Sequence, residues 1–260
     1  MAIKKLFASV GFGGASVETL LVEPNVLPGG VVHGEVRIQG GAVAQRIQGL
    51  SVGLQAKVEV ESQDGEVLRN IGFHRQQLGG EFELQPGATH VVPFGLSVPW
   101  ETPVTMFLGQ HLTGTHIGVT TQLDIARAVD SGDLDPINVH PLPAQQALLD
   151  SFGALGFRFK NADIEEGRVR GTRQQLPFYQ EIEFHAPPQY RGLKEVELTF
   201  VADGQAMDVV LEMDKKPGLF SEHSDSYRCF QVDLANFQQT DWTGYLNHWL
   251  AEVGGRRSWL

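Results

Sequence analysis

Apolar and polar residues alternate along most of this chain with a period of two. The clearest case is Leu50–Glu61, where Leu50, Val52, Leu54, Ala56, Val58 and Val60 alternate with Ser51, Gly53, Gln55, Lys57, Glu59 and Glu61. Successive side chains of a strand point to opposite faces, so this segment predicts one long strand with a dry and a wet face. Similar stretches at Val17–Val22, Val31–Ile38, Val67–Phe73, Glu81–Leu84, His90–Val98 and Thr115–Ala128 predict its neighbours. Turn residues separate them, among them Pro28-Gly29-Gly30, Asp64-Gly65 and Pro86-Gly87. About seven strands before residue 128 predict an antiparallel β-sandwich.

The second half has the same grain. Leu155–Phe159 reads as a strand and Asn161–Gly167 as an acidic turn. Phe178, Gln180, Ile182 and Phe184 share one strand face, opposite Tyr179, Glu181, Glu183 and His185. Val196, Leu198 and Phe200 mark the next strand, and Asp203-Gly204 turns the chain into Met207, Val209, Leu211 and Met213. A last strand spans Arg228–Leu234. Two segments change period: Ile3, Leu6, Phe7 and Val10, and Trp242, Tyr245, Leu246, Trp249, Leu250 and Val253, recur at helical spacing. They predict short amphipathic helices, the second capped by Asp241.

Between the halves lies Thr115–Pro143, THIGVTTQLDIARAVDSGDLDPINVHPLP. Its strand pattern gives way to Asp130, Asp133 and Asp135 and then to Pro136, Pro141 and Pro143. Asp130, Asp133, Asp135 and Pro136 therefore read as a hinge. The expected organisation is a sandwich over 1–128, an acidic, proline-containing hinge over 129–147, a second sandwich over 148–239, and a helix and tail over 240–260. The fold class is all-β, two tandem antiparallel β-sandwich domains.

A formal net charge of -11, spread over both halves, repels phosphate backbones and argues against nucleic-acid binding. One cysteine, Cys229, leaves no intrachain disulfide and no cysteine metal cluster. The N-terminal segment lacks a signal-peptide core, and no apolar run is long enough to span a bilayer. The expected location is cytoplasmic.

Motifs for chemistry are sparse. His111 and His116 are five residues apart, which places them on opposite faces of one strand and argues against a shared metal. Asp130, Asp133 and Asp135 offer clustered oxygens, but not in the order of a calcium loop. Glu181 and Glu183 share a strand face and read as its wet side rather than as a hydrolytic pair. No nucleophile elbow or phosphate-binding loop is present. The expectation is no catalytic residue, no metal and no cofactor, hence no enzyme. Protein contact is the expected mode of action, through Ile3, Leu6 and Phe7 on one helix and Trp242, Tyr245 and Trp249 on the other. The alternatives are a weak peripheral membrane contact through the N-terminal helix, and a metal-assisted hydrolase or small-ligand binder. A homo-oligomer stays open.

KKLFASVGFGGASVET near the N-terminus, WETP at Trp100–Pro103, GVTTQLDIARAVDSGDLDPINVHPLP at Gly118–Pro143 and LPFYQEIEF at Leu176–Phe184 resemble the bacterial sporulation-control proteins with an arrestin-like fold. The resemblance runs from about residue 3 to 234. It implies two β-sandwich domains joined by a short hinge. It also implies a cytoplasmic adaptor or scaffold that modulates development, division or the envelope through protein partners, without enzymatic activity.

Overall fold

A computed structural model describes residues 14–62, 65–126, 131–215 and 227–255. The expected helix carrying Ile3, Leu6 and Phe7 lies outside the described residues, as does Asp130. The chain packs into two compact units. The first comprises Met1–Lys57, Asn70–Pro99 and His116–Val139, and the second Val58–Arg69, Trp100–Thr115 and His140–Leu260. The units interleave, so neither is one continuous stretch of sequence.

In chain order the elements begin with β1 (Ser16–Leu21), β2 (Asn25–Val26), β3 (Val31–Gln39), β4 (Gln45–Ser62), β5 (Gly65–Gly79), β6 (Phe82–Leu84) and β7 (Thr89–Ser97). The short strands β8 (Met106–Phe107) and β9 (Gln110–His111) precede β10 (Ile117–Ile125), β11 (Ser131–Pro136) and β12 (Asn138–Val139). Helix α1 (Pro143–Ala154) leads to β13 (Arg158–Glu166), β14 (Phe178–His185), β15 (Leu193–Ala202), β16 (Ala206–Lys215) and β17 (Arg228–Asp233). Helix α2 (Trp242–Gly255) follows.

The first unit is a sandwich. One sheet runs β1-β3-β7; the other runs β11-β10-β4, with β5 and β6 also against β4. The alternation at Leu50–Ala56 fixes the register, setting Leu50 opposite Leu123 and Leu54 opposite Val119. Val36, Ile38, Leu54, Leu96 and Leu123 are fully buried. The two sheets also meet through polar atoms: Thr19 and Thr121 hydroxyls lie 2.6 Å apart, and the Thr19 amide donates to Asp133 Oδ2 at 3.0 Å.

That last bond corrects the expected connector. Asp133, Asp135 and Pro136 belong to β11, a strand paired antiparallel with β10 along its whole length. Strand pairing outweighs the turn preference of the aspartates, because Ser131 and Asp135 are buried and Asp133 serves as an acceptor. Pro136 falls at the strand's end, where the missing donor costs little.

In the second unit β13-β14-β15-β16-β17 form one antiparallel sheet, which β4 joins in parallel at Glu59–Glu165. Its dry face carries Ile182, Phe184, Val196, Leu198, Val209 and Leu211. The opposing layer is built from α1 (Leu148, Leu149, Phe152), α2 (Leu246, Trp249, Leu250) and Val104, Phe107 and Leu112. Phe152 stacks on Phe184 with ring centroids 5.0 Å apart. Helix α1 was not foreseen. Pro143 reads as part of the connector, but a proline also suits the first turn of a helix, and the Gln145 side chain accepts the Leu142 amide at 2.8 Å.

Trp242, Tyr245 and Trp249, expected as an interaction stripe, pack within their own unit. Phe230 of β17 meets the Trp242 and Tyr245 rings at 6.0 and 5.1 Å, and the Arg228 guanidinium lies over both Tyr245 and Trp249. Trp249 is 7% exposed, so the stripe closes the core instead of awaiting a partner.

Two polar devices lock the 100–115 segment onto the sheet. Gln180, buried on β14, donates to the Val104 carbonyl at 2.7 Å and accepts the Val104 amide at 2.9 Å, as a neighbouring strand would. Gly114 has φ +96°, and a Cβ there would lie 2.1 Å from the Ala162 carbonyl oxygen. Gly114→Ala should therefore destabilise the protein by about 2–3 kcal/mol, through strain and displacement of β13. Trp249→Ala should cost about 3–5 kcal/mol. Chemical denaturation checks both.

Candidate functional site

The face of the second unit's sheet turned away from its core is densely acidic and partly covered, with Asp163, Glu195 and Asp208 buried on it. Strand alternation presents Asp163 and Glu165 from β13, Glu181 and Glu183 from β14, Glu195 and Glu197 from β15, and Asp208 and Glu212 from β16. Register then brings them together: Asp163 lies opposite Glu181, Glu183 opposite Glu197, and Glu197 opposite Glu212. At the neighbouring pair, Glu165 faces Glu59 of β4.

Parts of this face carry their own counter-charge. Lys160 donates to Glu183 and, at 2.9 Å, to Glu195. Those two hydrogen bonds raise the Lys160 ammonium above its ordinary range. A bulge between Phe159 and Asn161 falls where Lys160 sits in β13. Arg173 grips the buried Asp208 through its backbone amide and Nε, both at 3.0 Å, and Nη2 at 3.1 Å, while also bonding Asp203. Burial alone would raise Asp208, but the bonds from Arg173 outweigh it and leave the carboxyl below its ordinary value.

Asp163, Glu165 and Glu181 differ. Each offers a carboxylate oxygen, and these three oxygens lie within 4.8 Å of one another. Among the described residues no lysine or arginine pairs with any of them. Tyr179 donates its hydroxyl to Glu165 Oε2 at 2.9 Å. Asp163 is 8% exposed; its Oδ2 receives only a long bond from Asn161, at 3.4 Å, and its Oδ1 is buried with no hydrogen-bond partner. Desolvation, then the charges of Glu165, Glu59, Glu183 and Glu197, push Asp163 up to about 7. Desolvation, with Glu165, Glu197, Asp163 and Glu212, pushes Glu181 up to about 9. Such a group can hold shared protons or a hard cation.

Glu181 and Glu183 share one face, as their spacing predicts, but their surroundings set them apart: Glu183 is neutralised by Lys160 and Glu181 is not. Asp163 and Glu165 lie in Asn161–Gly167, expected as a turn, whereas β13 runs on to Glu166. The available signal was the alternation of Ala162 and Ile164, both fully buried, with the two acids. His111 and His116 fall in different units and join no potential metal group among the described residues.

Two interleaved, β-rich units of this kind define an arrestin-like, all-β protein. The profile of the SpoOM protein family matches residues 3–217, and the chain belongs to that family. It is 34% identical over 215 residues to the sporulation-control protein spo0M of Bacillus subtilis (strain 168), covering 82% of this chain and 80% of that protein. The crystal structure of Spo0M, sporulation control protein, from Bacillus subtilis superposes with a TM-score of 0.80 at 28% identity, covering 93% of this chain and 99% of that one. β17 and α2 lie beyond the span that the family profile matches.

The acidic group makes stability depend on pH in an unusual direction. A carboxyl whose folded pKa exceeds its unfolded value favours folding in acid and loses that contribution as pH rises through the folded value. For Asp163 the contribution is full below about 3.8 and lost through about 7; for Glu181 it is full below about 4.5 and lost through about 9. Lys160, three residues before Asp163 on β13, is engaged by Glu183 and Glu195. In chelator-treated buffer at pH 8, Asp163→Asn should stabilise the protein by about 1–3 kcal/mol and flatten its loss of stability between pH 5 and 9, read by urea denaturation.

Proposed function

We propose that this protein is a non-enzymatic, cytoplasmic regulatory adaptor that acts by binding other proteins through an exposed sheet edge. The observation that carries the reading is β5. It has 15 residues, none of its described residues is buried, and among the described residues it pairs only with β4. Val67 and Leu68 are 39% and 53% exposed. A long, open edge strand is a liability unless something uses it, and addition of a partner strand supplies both main-chain hydrogen bonds and alternating side-chain contacts. Kinship with a sporulation-control protein supports a regulatory role in a developmental process such as sporulation. No described helix is long and apolar enough to cross a membrane, which fits action through protein contacts.

The test is residue-specific photo-crosslinking from position 68 in the native host, compared with position 43, an exposed valine of the loop before β4. A discrete protein adduct at 68 and not at 43 is expected. Leu68→Lys should reduce recovery of that partner at least tenfold with an unchanged melting temperature, and should fail to restore the developmental phenotype of a deletion strain. Full partner recovery and full complementation by Leu68→Lys would sink the reading.

A further inference from the structure

We propose that Asp163, Glu165 and Glu181 form a binding site for a hard divalent cation of the calcium type. This goes beyond the adaptor reading and does not depend on it.

The oxygens are spaced for such an ion. Calcium takes oxygen ligands at about 2.3–2.6 Å, so two oxygens on opposite sides of one ion are about 4.6–5.2 Å apart. Three carboxylate oxygens within 4.8 Å of one another fit within that span. The same group holds an orphan acceptor. Asp163 contributes to the group, is more than nine-tenths buried, and has an Oδ1 atom with no donor. A buried, unpartnered carboxylate oxygen is costly, and an ion is one of the few groups that satisfies it.

Charge and ligand chemistry point the same way. Lysine and arginine neutralise the flanks of the face at Glu183, Glu195 and Asp208, and leave the centre without a counter-charge. An all-oxygen donor set selects calcium, magnesium or manganese over zinc or copper. Glu165 and Glu181 are partly exposed, so water can complete the shell. Three carboxylates on two paired strands cannot readily contract to the short, octahedral distances of magnesium, which favours the larger ion. The donors sit on β13 and β14, whose other faces are packed in the core, so the site is held in place before the ion arrives. Because the ion competes with protons for these oxygens, its affinity rises with pH.

The experiment uses the full chain, stripped with chelator, at pH 8. Calcium chloride is titrated calorimetrically and in thermal melts, with magnesium chloride in parallel, and terbium luminescence excited through aromatic side chains such as Tyr179 reports occupancy. The expected result is saturable, one-to-one calcium binding and a melting temperature that rises with calcium. Asp163→Asn and Glu181→Gln should each weaken calcium at least tenfold. Asp150→Asn, an exposed acid on α1, should change it less than twofold. If either of the first two variants folds poorly, Glu165→Gln, at a partly exposed position, should still lose at least fivefold. The proposal is overturned by the absence of any heat, luminescence or melting shift at 10 mM calcium, which would leave a proton-sharing cluster. Calcium binding that survives Asp163→Asn and Glu181→Gln overturns it too, and tighter magnesium than calcium binding overturns the calcium-type assignment.

Discussion

The pairing of β13 with β14 is the constraint on which the second unit turns. Ala162 and Ile182 face the core from adjacent strands, directly opposite each other. That pairing leaves Asp163 no position but the one opposite Glu181. A slip of β13 by one residue would end that opposition and at the same time turn Ala162 and Ile164 away from the core. Keeping Ala162 and Ile164 in the core stabilises by about 2–4 kcal/mol, so the apolar face sets the register and the carboxylates follow it. The concentration of negative charge is thus a by-product of core packing, tolerated by the sheet, and available for use.

The face is not acidic by neglect. Lys160, aided by a bulge, and Arg173, clamped on a buried aspartate, neutralise its flanks with specific, multiply bonded cations. A protein that merely avoided self-repulsion would have placed a third cation at the centre. Glu101 shows the same control elsewhere in the unit: its carboxylate accepts the amides of Gln175 and Leu176 at 2.8–2.9 Å and anchors the loop that carries Arg173.

Much of this was legible in the sequence because alternation is a local signal. Most of the longer strands and helix α2 emerge from residue spacing alone. Where the reading failed, long-range pairing overrode local preference. Asp133 and Pro136 look like turn residues until β10 lies beside them. Asn161–Glu166 looks like a turn until β14 does. The acidic group is a juxtaposition of residues about 18 apart in the chain, fixed by a register that no local pattern encodes. The edge at β5 was visible as a strand, but its exposure depends on which neighbours it lacks. Likewise, the aromatic stripe of α2 was plain, and only the Arg228 and Phe230 side chains beneath it show that it faces inward.

The interleaving of the two units bears on how the chain is made. The first unit is complete once residue 139 has been synthesised, yet two segments embedded within that span, Val58–Arg69 and Trp100–Thr115, belong to the second. During translation these must wait, unpacked, for partners made later: Val104 for Gln180, 76 residues downstream, and Glu59 for Glu165. Helix α2, which covers the last of the apolar sheet, follows every strand it shields. A nascent chain therefore carries a finished domain and an open apolar surface side by side on the ribosome, the stretch of its life in which chaperones matter most.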